Sequence, residues 1–99
     1  MTDMFRLDNK VAVVTGACGI LGSVFSRVLA HAGAKVIVAD LDEERVKALV
    51  DEISVETGVQ AEGAPVDLRS EPSVKSWAGA LLSKHTSIDI IVNNAATKS

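Results

Sequence analysis

A run of four apolar residues, Val11-Ala12-Val13-Val14, passes directly into a glycine-rich turn, and the turn into a helical stripe. No other feature limits the possible folds so strongly. A run that is apolar at every position reads as a strand buried on both faces, the situation of a parallel sheet covered by helices on both sides. After the turn, Ile20, Leu21, Val24, Phe25, Val28, Leu29 and Ala32 recur at helical spacing, and Gly33 follows as a C-cap candidate. That stripe is expected to pack into the core.

The alternation then repeats. Val36-Ile37-Val38-Ala39 is a second buried run, closed by Asp40. Asp42 is placed to cap the next helix, with Glu43 and Glu44 in the first turn, where the helix dipole favours anions. Val46, Leu49, Val50 and Ile53 form its inner stripe, and Gly58 ends it. The segment from Gln60 to Val66, interrupted by Gly63 and Pro65, reads as a weaker third strand of about five residues. Ser70 opens a third helix with Pro72 in its first turn, where a missing N–H costs little. Val74, Trp77, Ala78, Leu81 and Leu82 supply its apolar face, and Ile88, Ile90, Ile91 and Val92 make a fourth buried strand.

The result is β-α-β-α-β-α-β. It predicts an α/β fold: a Rossmann-like doubly wound parallel sheet with right-handed crossovers and strand order 3-2-1-4, cut off before the later strands of such a sheet. The fourth strand would then be an apolar edge, which invites pairing, and a homo-oligomer is the expectation.

Composition narrows the function classes. Ninety-nine residues suffice for one small domain. Ten Lys and Arg against thirteen Asp and Glu give a net charge of −3, with no basic field for a nucleic-acid backbone. One cysteine forms no internal disulfide, and with two distant histidines it builds no zinc site. Nothing approaches the roughly 18 consecutive apolar residues of a membrane span. Asp3, Arg6, Asp8 and Lys10 stand where a signal peptide would need apolar residues, which predicts a soluble, cytoplasmic protein.

Residues 15–22, Thr-Gly-Ala-Cys-Gly-Ile-Leu-Gly, either tighten a strand-to-helix corner or cradle a phosphate group. The strand before and the helix after favour the second, since a dinucleotide fingerprint requires that context. Gly16 would allow the sharp turn, Gly19 the close approach of a pyrophosphate, and Gly22 close helix-to-sheet packing. Free N–H groups and the dipole at the helix start would attract the anion. Cys18 reads as a small residue lining this groove rather than an activated thiol, since the pattern brings no base near it.

Asp40 ends the second strand, 24 residues after Gly16. In a dinucleotide fold this position faces the adenosine ribose, and a carboxylate there accepts from its hydroxyls. A 2′-phosphate would meet like charge, so NAD is favoured over NADP. Arg45, five residues on, weakens that preference if its side chain folds back.

Lys10 to Gly22, Ala39-Asp40, Val66-Asp67-Leu68 and Asp89 through Asn93-Asn94-Ala95-Ala96 together resemble the N-terminal part of a short-chain dehydrogenase/reductase. The similarity runs from Phe5 onward, with the motifs in the family's order and spacing. The resemblance implies that backbone from Cys18 through Gly19 and Ile20 to Leu21 holds the pyrophosphate, between Gly16 and Gly22. It implies that Asp40 and Leu41 flank the adenosine ribose, and that Asp67 and Leu68 contact the adenine edge. Asn93 and Ala95 would lie along the ribose on the way to the nicotinamide, Asn93 also tying neighbouring strands together. Residues 1–99 would be the N-terminal dinucleotide-binding part of a single Rossmann domain. The implied partners are NAD, with NADP second, and a small hydroxyl or carbonyl substrate of the parent enzyme.

The glycine spacing, at 16, 19 and 22, resembles the extended, sugar-nucleotide-modifying subfamily, as does Asp67-Leu68-Arg69. Asn93-Asn94-Ala95-Ala96 instead resembles the compact reductases. This mixture resembles reductases linked to surface-sugar or flagellin modification. A sugar-nucleotide epimerase or dehydratase remains an alternative, as does a stand-alone NAD-binding regulatory module without turnover.

Catalysis in the family uses a Ser, a Tyr as general acid/base, and a Lys four residues after that Tyr. This chain contains no tyrosine, and no catalytic residue is assigned. His31 and His85 read as surface or helix-end positions, and the charges of the second helix as a solvated face. On its own the chain is expected to be inactive.

Overall fold

The computed structural model describes residues 6–85 and 87–93. Seven elements alternate within them: β1 (Val11–Thr15), α1 (Ile20–His31), β2 (Lys35–Asp40), α2 (Glu43–Thr57), β3 (Glu62–Pro65), α3 (Glu71–Lys84) and β4 (Ile90–Asn93). The strands form one parallel sheet in the order β3-β2-β1-β4, as the alternation predicts. Ala12 to Val14 and Val36 to Ala39 are buried throughout, which a central strand covered on both faces requires.

Successive residues of these strands feed two cores. Val14, Val36 and Val38 meet Ala30 of α1 and Val46, Leu49 and Ile53 of α2. Val13, Ile37 and Ala39 meet Leu81 of α3, with Trp77 packed at the margin. α1 and α2 therefore cover one face and α3 the other. The chain changes face after β3 and crosses the sheet to lay β4 beside β1, so the topological switch point lies between β1 and β4.

Local chemistry sets the helix starts. Asp42 caps α2 by accepting the N–H groups of Glu44 and Arg45 at 3.1 and 3.2 Å. Ser70 caps α3 through the Ser73 N–H at 3.3 Å, with Pro72 in the first turn. α1 starts at Gly19 with no side-chain cap.

Most of the expected inner stripe of α1 lies on its outer face, although Leu29 packs against the core. Ile20 is 86% exposed and Phe25 40%, and Leu21, Val24 and Val28 are exposed as well. The side against the sheet is Gly22, Ser26 and Ala30. The cause is close approach: a Cβ on Gly22 would sit 2.8 Å from the Ala17 Cα. Only small residues fit along that line, so the large apolar ones turn outward. The Ser26 hydroxyl, fully buried, is satisfied by donating to the Gly22 carbonyl at 2.8 Å.

β4 is likewise less buried than its apolar run implies, with Ile91 69% exposed, and Leu82 of α3 is also exposed. Asp89 ties this edge strand to β1: its carboxylate accepts the Val11 N–H at 2.8 Å and its own N–H donates to the Val11 carbonyl at 2.9 Å.

His85 is not a surface group. It follows the last turn of α3, with its side chain 11% exposed, and its Nε2 lies 3.3 Å from Glu62 Oε1 on β3. Lys84 and Lys35 reach the same oxygen at 3.2 and 3.7 Å.

Candidate functional site

The parallel strands deliver Thr15, Asp40, Pro65 and Asn93 to one edge of the sheet. Register pairs Thr15 with both Ala39 and Asn93, and Asp40 with Pro65. The sequence-derived candidates among the described residues, from Gly16 to Gly22 and at Asp40, Leu41, Asp67, Leu68 and Asn93, all lie at or just beyond this edge. Ala95 lies outside the described residues. Carboxyl ends of strands at a switch point are where α/β sheets take ligands.

The loop between β1 and α1 is shaped by Gly16, whose φ of 65° is a conformation that a side chain disfavours. The Gly16 carbonyl accepts the Gly19 N–H at 3.2 Å, and the Ala17 N–H donates to the Ala39 carbonyl of β2 at 3.2 Å. Gly16 and Gly22 are thus demanded by the fold itself. Gly19 is not: its φ is −75°, and an added Cβ would meet only the Gly16 carbonyl oxygen, at an ordinary 3.5 Å.

Both backbone polar groups of Cys18 are held from the β2–α2 side. Asp40 Oδ2 accepts the Cys18 N–H at 2.9 Å, while Oδ1 accepts the Leu41 N–H at 2.7 Å. Arg45, in the first turn of α2, donates from Nη2 to the Cys18 carbonyl at 2.6 Å. The Arg45 side chain does fold back onto the loop. Burial pushes the Cys18 thiol above its ordinary pKa, and the Asp40 and Asp42 carboxylates add to this against the opposing charge of Arg45. Cys18 is therefore a neutral lining residue, not an activated nucleophile.

Two cavities flank the edge. One, of about 290 Å³, lies between α1 and α2 and is lined by Cys18, Ser23, Arg27, Arg45, Ala48, Leu49 and Glu52. The other, of about 570 Å³, lies between the β3–α3 connection and α3, lined by Pro65, Val66, Asp67, Pro72, Ser73, Ser76 and Trp77. The Trp77 indole N–H is buried and has no acceptor among the described residues. Asp67 turns toward Arg69, whose Nε donates to Oδ1 at 3.0 Å; this hydrogen bond, with that from the Arg69 backbone N–H, holds the carboxyl below its ordinary pKa.

At the switch point the Thr15 hydroxyl lies 3.0 Å from Asn93 Oδ1 and 3.3 Å from the Val92 carbonyl. Asn93 thus does tie β4 to β1. Thr15 was not among the sequence-derived site residues, although its place immediately before Gly16 marks it as the last side chain of the strand.

The family model for short chain dehydrogenases matches residues 10–99. The chain is 38% identical over 94 residues to the 7α-hydroxysteroid dehydrogenase of Escherichia coli K12, covering 95% of this chain and 36% of that protein. Among solved structures it superposes on the RhlG/NADP active-site complex of Pseudomonas aeruginosa with a TM-score of 0.89 at 32% identity, covering 98% of this chain and 38% of that one. A 7α-hydroxysteroid dehydrogenase complexed with NADH and 7-oxo glycochenodeoxycholic acid gives a TM-score of 0.87 at 37% identity, with the same coverage. The chain spans about a third of the length of the curated relatives it matches.

Proposed function

The chain belongs to the short-chain dehydrogenase family, and on that premise we propose that residues 1–99 are the N-terminal, cofactor-holding part of a single-domain NAD(P)-dependent oxidoreductase. The carrying observation is the division of labour among the loop glycines. Gly16 and Gly22 serve the fold, while Gly19, where an added Cβ would make only an ordinary contact, stands at a helix start that no side chain caps. A pyrophosphate fits there, accepting from the first-turn backbone N–H groups of Ile20 and Leu21 with the helix dipole behind them, while the Cys18 and Gly19 N–H groups hold the loop to Asp40 and Gly16.

The other assignments follow the same edge. Asp40 has two oxygens engaged once each. A carboxylate accepts about four hydrogen bonds, so capacity remains for ribose hydroxyls. Leu41 flanks that ribose. Asp67 and Leu68 face the adenine edge beside the larger cavity, and Asn93 and Ala95 lead toward the nicotinamide. When bound, the nicotinamide gives or takes a hydride from a hydroxyl/carbonyl carbon. This chain's part is to hold and orient the dinucleotide, since it has no tyrosine for the proton transfer. Relatives described with NADP and with NADH support a nicotinamide dinucleotide. Asp40 inclines the choice toward NAD, and a free thiol at Cys18 suits a cytoplasmic setting.

Calorimetric titration with NAD and NADP tests this. Saturable binding with NAD the tighter ligand is expected, without turnover of alcohols or ketones by the chain alone. Absence of binding to either ligand overturns the cofactor role, and tighter NADP binding overturns the role of Asp40.

A further inference from the structure

We infer that the outer edge of β4 is a self-pairing surface, on which two copies of this chain join antiparallel about a two-fold axis at Ile91 and merge their four-stranded sheets into one. The contact is independent of the dinucleotide role above.

The edge is built for a strand. β4 bonds to β1 on one side, and among the described residues no strand lies on its other side. Its outward N–H and C=O groups are a template for another extended segment. Its side chains are those of an interior strand: Ile90, Ile91 and Val92 are apolar in succession. Register sets Ile91 beside Val13, on the face that α3 covers, yet Ile91 is 69% exposed. The cover that α3 gives Val13 does not reach it.

The opposite edge of the sheet is a poor partner. β3 contains Gly63 and ends in Pro65, which has no N–H to donate. At its start Glu62 gathers Lys35, Lys84 and His85 around one carboxylate oxygen, charges that an incoming apolar strand would have to desolvate. A contact of β4 with β3 would also repeat from copy to copy without end, whereas β4 on β4 closes at two. Two-fold symmetry makes that pairing antiparallel. Directly opposite residues share a face, so the axis passes through a residue. An axis at Ile91 matches like with like: Ile91 meets its own copy, Ile90 meets Val92, and Asp89 meets Asn93. Asn93 Oδ1 lies 3.0 Å from the Thr15 hydroxyl, which leaves the amide nitrogen to donate to the Asp89 carboxylate. Moving the axis by one residue sets Ile91 against Asp89 or Asn93 instead. The pairing of four residues, about 13 Å long, is small beside the roughly 800 Å² per partner of a standard interface, so the dimer is weak and forms as concentration rises.

Disulfide trapping of the full chain tests this. Cys18 is replaced by Ser, and one cysteine is introduced as Ile91→Cys, Ile90→Cys, Val92→Cys or, on α1, Val28→Cys. A disulfide needs Cα atoms within about 7 Å. Ile91 meets this with its own copy, whereas Ile90 and Val92 meet it only with each other. Under mild oxidation Ile91→Cys should give severalfold more covalent dimer than any other single variant, and mixing Ile90→Cys with Val92→Cys should give the mixed dimer. Sedimentation equilibrium of the unaltered chain should rise to twice the monomer mass and level there. Strongest trapping at Val28→Cys places the contact on α1, self-trapping at Ile90→Cys or Val92→Cys moves the axis, and equal trapping everywhere reflects random collision; each overturns the inference. So does an unaltered chain whose mass stays at one copy or climbs past two without levelling, a result that depends on no variant folding.

Discussion

Asp40 Oδ2 accepts the backbone N–H of Cys18 at 2.9 Å, joining two residues 22 apart in the chain. The end of β2 is thereby fastened to the glycine loop, and the carboxylate that holds that loop is the one proposed above to meet the adenosine ribose. Asp40→Ala should therefore weaken NAD binding by about 1.5–3 kcal/mol, the range for a charge-assisted hydrogen bond. It should weaken NADP binding less, because removing the carboxylate also removes repulsion. Calorimetry with both cofactors checks this; an unchanged ratio of affinities would place Asp40 away from the 2′-position.

Gly22 and Gly19 should separate stability from binding. A Cβ at Gly22 meets the backbone of Gly16 and Ala17, which cannot swing aside. Gly22→Ala should lower stability by about 1–3 kcal/mol, the usual cost of overpacking. A Cβ at Gly19 meets nothing closer than 3.5 Å. Gly19→Ala should therefore cost no more than about 1 kcal/mol as an N-cap change, yet weaken dinucleotide binding severalfold. Denaturant melts beside NAD titrations give the comparison, and equal stability losses would refute it.

Much of this was legible in the residues, for stated reasons. Val11–Val14 and Val36–Ala39 are apolar at every position, which only a doubly covered strand explains, so the sheet and its order followed. Asp42 and Ser70 were readable as caps because a capping side chain acts within three residues of itself. The face of α1 was not readable. Its large residues do form a helical stripe, but the loop approaches too closely for most of them, Leu29 packing on the core further along the helix, and that distance depends on tertiary packing at Gly22. Arg45 was ambiguous for a similar reason: its spacing from Asp40 permitted contact with the loop, but only the geometry of the first turn of α2 put its guanidinium at the Cys18 carbonyl. The Glu62–His85 contact joins a strand to the end of the following helix, 23 residues apart, and no short-range pattern encodes it.

Glu62 gives the chain an acid-sensitive contact. Burial alone would raise its pKa, but the hydrogen bond and charge of Lys84, with the charges of His85 and Lys35, outweigh burial and hold it below the ordinary value. A carboxyl depressed on folding adds stability that is fully present above the unfolded glutamate pKa, about 4.3. That stability is lost as pH falls through the lower folded value. Melting temperatures measured from neutral pH downward should fall through this window, and Glu62→Gln should be less stable at neutral pH with a shallower acid decline. An unchanged acid limb in the variant would show that Glu62 contributes nothing to it.

The 99-residue chain should self-associate. Ile20, Leu21, Val24, Phe25 and Val28 place an exposed apolar face along α1, and β4, the edge strand beside β1, exposes Ile91. An apolar face of this kind and a strand edge with unpaired backbone groups are each satisfied by a second copy of the chain. Sedimentation over a concentration series should show species above the monomer mass. Val28→Glu should reduce association through the helix face, and Ile91→Lys through the strand edge, because each sets a charge where apolar contact or strand pairing would form. The two variants together identify the surface used: if only Ile91→Lys restores the monomer, copies pair by their edges, and if only Val28→Glu does, they pack by α1. A strictly monomeric chain that melts cooperatively at an ordinary temperature would contradict both routes and show that this face and this edge are tolerated in water.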